Sequence, residues 1–334
     1  MIDLTMMNAS VLVTGATGFT GGHLARHLAC SGYQVRALVR DLERAGQLQA
    51  QGIELARGDV CDPASLSQAM IGIETVYHIA ASFRQENVTR QDMWAVNAQG
   101  VQNMLDAAIG AGVKRFVHCS TVGVHGDVRN PPADEETAYG PGDTYQESKT
   151  AGEKIARQYM AEGRLPIVVF RPGGIYGPGD RRFLKLFRSI KKRRFVMIGS
   201  GKVLYQLVYI DDLVDGIVRC GTADKAIGNV YILTGEAAIT LNELVVAIAR
   251  IVGAPAPRWR VPVTPVYLAG YLCEVMCKPL GIEPPLYRRR VDFFRKDRAF
   301  SVEKARRELA YKPAVDLKTG LRRTAEWYEA QGLM

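Results

Sequence analysis

The sequence predicts an α/β protein: a doubly wound parallel sheet with helices on both faces, plus a smaller, mainly helical C-terminal lobe. Three observations carry this. Short β-branched runs alternate with amphipathic stretches of about a dozen residues through the first half. A glycine-rich turn follows the first of those runs. After Arg171 the alternation loosens into Gly- and Pro-rich connections. With 334 residues, the chain is long enough for one large α/β domain and an attached lobe.

Taken in order, Ser10–Thr14, Gln34–Val39, Thr75–Ile79, Arg115–Cys119 and Ile167–Phe170 read as strands. Between them Gly21–Ser31, Pro63–Met70, Thr89–Ala111 and Tyr145–Glu162 show helical spacing of apolar residues and good helix formers. Beyond Arg171 come a basic helix at Arg182–Lys192, an isolated strand-like run at Leu204–Ile210, helices at Leu241–Val252 and Val266–Met276, and two short C-terminal helices. Residues 1–176 are accordingly assigned to a nucleotide-binding domain, with 203–232 returning to it, and 177–202 and 233–334 to a substrate lobe.

Composition excludes several classes. Hydrophobic residues at 47% and charged residues at 23% argue against disorder, collagen-like chains and coiled coils. Met1–Ser10 lacks the pattern of a secretory signal, so the cytoplasm is expected. No apolar run approaches the roughly 18 residues of a membrane span. Val261–Leu280 comes nearest but is broken by Pro262, Pro265, Glu274, Lys278 and Pro279; it reads as a core or lid helix, with peripheral membrane contact as the alternative. The six cysteines read as reduced, and Cys273 with Cys277 lacks the further ligands of a zinc site, so no metal is expected. The net charge of +9 gathers at Arg181-Arg182, Lys191–Arg194, Arg288–Arg290 and Arg295–Arg298. Such runs are either solvated helix faces or holders of an anionic substrate. No aromatic ladder or finger pattern accompanies them, so a nucleic-acid partner is not expected.

Val11-Leu-Val-Thr-Gly15-Ala-Thr-Gly18-Phe-Thr-Gly21 runs from a buried strand into a helix. Its glycines permit a tight turn, close approach of backbone to a pyrophosphate and close helix–strand packing, while the helix N-terminus favours an anion. A dinucleotide is therefore expected here. At the end of the second strand, where a site for NAD would place Asp or Glu, Val39 is followed by Arg40, which suits a 2′-phosphate; NADP(H) is favoured over NAD(H). Asp41 remains within reach of the ribose, Asp59 is placed for the adenine amino group, and Ala80-Ala81 forms a small-residue loop beside the cofactor. Tyr145 and Lys149 stand at i and i+4 on one helical face. A phenol of pKa about 10 beside an ammonium makes a plausible acid/base.

In order and spacing, the glycine turn, Asp59, Asn97, Ser120-Thr121, Tyr145/Lys149 and Arg171-Pro172-Gly-Gly-Ile-Tyr-Gly177-Pro178 resemble the extended short-chain dehydrogenase/reductases, the epimerase/dehydratase superfamily. The resemblance covers nearly the whole chain and implies a Rossmann fold. It implies that Tyr145 exchanges the substrate hydroxyl proton, that Lys149 holds the nicotinamide ribose, that Thr121 hydrogen-bonds the reacting oxygen, and that Asn97 supports the helix and a water relay behind Lys149. Cofactor contacts would come from Gly15, Thr17, Gly18, Phe19, Thr20, Arg40, Asp59, Val60, Ala80, Ala81, Lys149, Pro172 and Gly173, and substrate contacts from Ser82, Thr121, Val122, Tyr145, Gly174 and Lys185. A homodimer through 89–111 and 145–162 is likewise implied. His125 departs from the family's usual tyrosine and reads as a pocket-wall or surface residue.

Val122-Gly123 replaces the acidic residues that sugar-nucleotide dehydratases and decarboxylases carry after the threonine, so both reactions lose support. A nucleotide-sugar epimerase with tightly held NAD remains as an alternative. The family's phosphate-binding arginine is missing from Tyr205–Asp212, though Arg171, Arg182, Lys185 or Arg288–Arg290 could substitute. Arg40 and a C-terminal half resembling the 3β-hydroxysteroid dehydrogenase/dihydroflavonol reductase branch favour a one-way oxidoreductase acting on a secondary alcohol or ketone of a ring substrate. A non-catalytic NADP(H) sensor is the minor alternative.

Overall fold

A computed structural model describes residues 9–83, 88–277, 279 and 286–334; the side chains of Arg289 and Arg290, most of Met1–Ser10 and the end of the Val261–Leu280 segment fall outside this set. In chain order the elements are β1 (Ser10–Thr14), α1 (Phe19–Cys30), β2 (Gln34–Val39), α2 (Gly46–Gln49), β3 (Glu54–Arg57), α3 (Pro63–Ala69), β4 (Thr75–His78), α4 (Arg90–Trp94), α5 (Gly100–Gly110), β5 (Arg115–Cys119), α6 (Thr144–Ala161), β6 (Ile167–Pro172) and β7 (Gly174–Tyr176). There follow α7 (Leu184–Lys191), β8 (Met197–Ile198), β9 (Leu204–Tyr205), β10 (Leu207–Tyr209), α8 (Ile210–Thr222), β11 (Val230–Leu233), β12 (Ile239–Thr240), α9 (Leu241–Ile251), β13 (Arg260–Val261), α10 (Val263–Cys277), α11 (Arg288–Asp292), α12 (Glu303–Leu309) and α13 (Leu317–Ala330).

Seven parallel strands form the main sheet in the order β11-β6-β5-β4-β1-β2-β3. Alternate residues feed two apolar layers, as strand periodicity requires. Val11, Val13, Tyr77, Val117 and Phe170 face the side covered by α1 and α8, whereas Leu12, Val76, Phe116 and Val169 face α3, α5 and α6. The chain winds outward from β1 in both directions, so β1 and β4 part at their C-terminal ends. That divergence is where doubly wound sheets bind ligands.

Three expected elements are corrected. The helix expected over 89–111 is α4 and α5 joined by a π-helical turn, Ala95–Gln99. The backbone of α6 presses on that turn, since a Cβ on Gly152 would stand 2.0 Å from the Asn97 carbonyl oxygen. The single strand expected at 204–210 splits, because β9 pairs antiparallel with β12 while β10 pairs parallel with β7. Between them Gln206 accepts from Phe300 N and donates to Gly235 O, which turns the backbone from one pairing to the next. Finally, α10 is no core helix: Gly270 is its one buried residue among those described.

Candidate active site

The turn between β1 and α1 is shaped by its glycines. Gly15 adopts φ +70°, and a Cβ there would lie 2.9 Å from Ala80 N; a Cβ on Gly21 would lie 2.3 Å from Gly15 O. Gly18 donates to Gly15 O (2.9 Å) and stands at the N-cap of α1, where no side chain caps the helix and no carboxylate occupies the first turn. Helix N-terminal N–H groups that no described side chain caps, in a cradle that admits no Cβ, suit a pyrophosphate. Thr17 and Thr20 belong to this turn, and the Phe19 ring meets His23 edge-on (5.2 Å) with the Arg182 guanidinium 5.7 Å away.

Across the β1/β4 opening, Thr14 Oγ1 accepts from Ile79 N and Ala80 N and contacts His78 Nδ1 at 3.0 Å, which fixes the Ala80-Ala81 loop. Just past β3, Asp59 Oδ1 accepts from Cys61 N (2.9 Å), and the Val60 carbonyl accepts from Asn103 (2.9 Å). Arg40 is exposed just beyond β2 and makes no ion pair among the described residues. Asp41, by contrast, is engaged locally: its Oδ1 accepts from Glu43 N and Arg44 N, and its other oxygen pairs with the Arg44 guanidinium.

Asp143 caps α6 by accepting from Gln146 N, which places Tyr145 in the first turn of the helix and Lys149 one turn further on. Lys149 is fully buried there and donates to Cys119 O at 2.6 Å, tying α6 to the end of β5. Burial pushes its ammonium below the usual lysine range. Asn97, in the π turn, uses both amide donors, on Ser82 O (2.9 Å) and Ser148 Oγ (3.0 Å), and accepts from Ser82 N (2.8 Å). It therefore clamps the 80–83 loop to the helix that carries Tyr145. Irregular helical turns of this kind are frequent at functional sites. The next residue of that loop, Phe83, meets the Tyr145 ring edge-on at 4.8 Å. Thr121 Oγ1 accepts from Gly123 N (3.0 Å), which leaves its hydroxyl proton to donate elsewhere.

The half-buried Thr121 caps a short 3-10 turn, Val122–His125, that contains Gly123 and buries Val122. Pro172 ends β6, Gly173 N donates to Leu233 O, and a Cβ on Gly173 would collide with Thr234 Oγ1, a buried hydroxyl with no partner among the described residues. Gly174 continues into β7 opposite Leu207. Lys185 is exposed on α7, and among the described residues no hydrogen bond or ion pair joins it to the Tyr145 cluster.

Two expectations are revised here. Arg171 is not available to substrate phosphate: it is fully buried, its Nε and Nη2 donate to Glu153, and its Nη1 reaches His125 Nε2 (3.1 Å) and Glu135 O (3.0 Å). His125 is likewise neither pocket wall nor surface but a member of this network, neutral because burial and then the Arg171 charge lower its pKa. Glu153 also accepts from Ser120 and Tyr139. Burial works against its carboxylate, but the Arg171 bonds and charge outweigh it and hold its pKa below the usual range. Sequence reasoning missed Glu153, although it sits one turn past Lys149 on the same face. It also missed Phe83 and the buried pair His78/His118, which stack at 5.6 Å beneath Lys149.

These features are those of an extended short-chain dehydrogenase/reductase, an enzyme class that works with a bound nicotinamide. The chain belongs to the NAD dependent epimerase/dehydratase family, whose model matches residues 11–233. It is 30% identical to the 2-alkyl-3-oxoalkanoate reductase of Stenotrophomonas maltophilia (strain K279a), covering 94% of this chain and 97% of that protein. It is 28% identical to 3beta-hydroxysteroid-dehydrogenase/decarboxylase isoform 1 of Arabidopsis thaliana, covering 98% of this chain and 81% of that protein. The crystal structure of gox2253 superposes with a TM-score of 0.83 at 28% identity, over 98% of this chain and 99% of that one.

Proposed function

We propose that this enzyme transfers a hydride between nicotinamide C4 and a secondary alcohol or ketone of a hydrophobic, ring-bearing substrate, with Tyr145 as general acid/base. The observation that carries the reading is the joint fixing of Tyr145 and Lys149 on α6, through Lys149 to Cys119 O and through Asn97 to Ser82 and Ser148. The glycine turn with Ala80, Asp59, Lys149, Pro172 and Gly173 would hold the dinucleotide, whose nicotinamide gives or takes the hydride. Tyr145 holds the proton of the substrate oxygen, Thr121 donates to that oxygen, and Lys149 keeps positive charge one turn along from the phenol. Phe83 packs on the Tyr145 ring and shields it from water on that side. Residues 177–202 and 233–334 supply the substrate side, and the outer faces of α4–α5 and α6 a homodimer contact.

NADP(H) is the favoured cofactor, because Arg40, just beyond β2, makes no ion pair among the described residues while Asp41 is occupied by its own turn. Reductases and dehydrogenases among the relatives support single hydride transfer over epimerisation. The test is to identify any nicotinamide released on denaturation and to titrate NADH and NADPH by fluorescence. Preference for NADPH that disappears in Arg40→Ala, with turnover of a hydrophobic ketone abolished in Tyr145→Phe while cofactor binding persists, is the expected result. Tightly retained, non-exchanging NAD would overturn it in favour of an epimerase, and activity surviving Tyr145→Phe would remove the tyrosine from the mechanism.

A further inference from the structure

On α10, Leu268, Tyr271, Leu272, Val275 and Met276 recur at helical spacing along one face, and that face is turned outward, with exposures of 55%, 45%, 58%, 50% and 70%. Surface helices ordinarily direct such a stripe into the core. The apolar surface continues into Trp259, 77% exposed, and Val261 of β13, and onto Val196 beside β8, the strand that pairs with β13. An exposed apolar area of this extent marks an interaction surface.

Among the described residues the unpaired charge around it is positive, Glu274 and Asp292 both being ion-paired. Lys192, Arg193 and Arg194, leading into β8, and Arg258, leading into β13, are exposed and form no ion pair among the described residues. Glu274, the single carboxylate of α10, is bound by Arg288, whose guanidinium also lies over the Tyr271 ring at 4.8 Å; Arg295 lies over Tyr267 at 4.5 Å. A second copy of the same face would set like charges against each other. An anionic lipid surface complements both the apolar stripe and the cations. At 15 residues α10 is about 22 Å long, too short to cross a bilayer and suited to lying in its interface.

We propose that α10, with Trp259 and the flanking cations, docks this enzyme peripherally on an anionic membrane surface. Lys192–Arg194 and Arg258 meet the phosphates while Leu268, Leu272, Val275 and Met276 enter the headgroup boundary.

Neither cofactor nor substrate enters the test, so its result is independent of the hydride-transfer reading. The full chain is sedimented with vesicles of phosphatidylcholine alone or with about 30 mol % phosphatidylglycerol. Partition into the anionic vesicles should be at least about tenfold higher, reversed by about 0.5 M salt, and accompanied by a blue shift in tryptophan emission that Trp259→Phe removes. Leu272→Asp/Met276→Asp should abolish binding with an unchanged melting temperature, since both side chains are exposed, and Arg193→Glu/Arg194→Glu should erase the preference for anionic lipid. Equal partition into both vesicle types, or undiminished binding by the α10 variant, would overturn the proposal. So would a dimer that the α10 variant dissociates in the absence of any vesicle binding, which would make the face a subunit interface.

Discussion

Replacing His78 by leucine tests the pair of imidazoles buried beneath Lys149. His78 of β4 and His118 of β5 are paired in register and wholly buried. Thr14 Oγ1 already accepts from two backbone N–H groups, so its own proton goes to His78 Nδ1. The His78 ring proton then resides on Nε2, which has no partner among the described residues. Burial, then the Lys149 charge, pushes the His78 pKa down to about 3 and lowers that of His118 as well. A histidine depressed in this way is neutral in the fold but protonated in the unfolded chain below pH about 6.5. Stability is therefore full above that pH and drains away as pH falls toward the folded value. At pH 5 the unfolded His78 is protonated and the folded one is not, a difference of about 1.5 pK units or about 2 kcal/mol. Urea unfolding at pH 7.5 and pH 5 measures it. His78→Leu should cost about 1–2 kcal/mol at pH 7.5, because the Thr14 hydroxyl loses its acceptor. Its stability should nevertheless fall by about 2 kcal/mol less than the wild type's between the two pH values. Parallel pH profiles for the two proteins would refute the reasoning.

Removing the counter-ion of Arg171 by Glu153→Gln should destabilise the fold by about 3–5 kcal/mol in urea unfolding, since it strands a fully buried guanidinium. The Glu153 carboxyl is held below its usual range, so the stability it confers is present above pH about 4.5 and lost as pH falls through its folded value; the variant should lack that part of the acid transition. Gly152→Ala would drive a methyl into the Asn97 carbonyl and push α6 off the π turn. It should cost about 1–3 kcal/mol by thermal melting and lower turnover more than cofactor affinity. Gly21→Ala should do the opposite, weakening nicotinamide binding in a fluorescence titration because its Cβ would fill the cradle at Gly15 O.

Five strands of the main sheet were legible as short β-branched runs, and Ser10–Thr14 and Gln34–Val39 match to the residue; Glu54–Arg57, which has no β-branched residue, and Val230–Leu233, set among the looser connections, are not among the strands read from the sequence. The glycine turn was legible for the same local reason. What escaped depends on tertiary contact. The π turn has no periodicity of its own and exists because α6 crowds Asn97. Arg171 and His125 carried charge and polarity that pointed outward in the sequence, yet Glu153 from another element neutralises and buries them. The apolar pattern of α10 was legible, but an apolar helix reads the same whether its stripe faces the core or the solvent. Phe83 gave no signal at all, being a loop residue whose partner lies 62 positions along the chain.

The place of β11 has a consequence for synthesis. The glycine cradle and the loop opposite it have their local partners once Asn97, which holds Ser82, has left the ribosome, whereas β6 must wait for Val230–Leu233 before its outer edge is covered. Over that interval Ile167–Pro172, buried along its whole length in the finished protein, presents bare backbone N–H and C=O groups to solvent. Nascent chains paused after Ile167–Pro172 has emerged and before Val230–Leu233 has would thus pair edge to edge and call on chaperones. A pause in synthesis does the most harm in that interval, when β6 is free and β11 is not yet there to cover it.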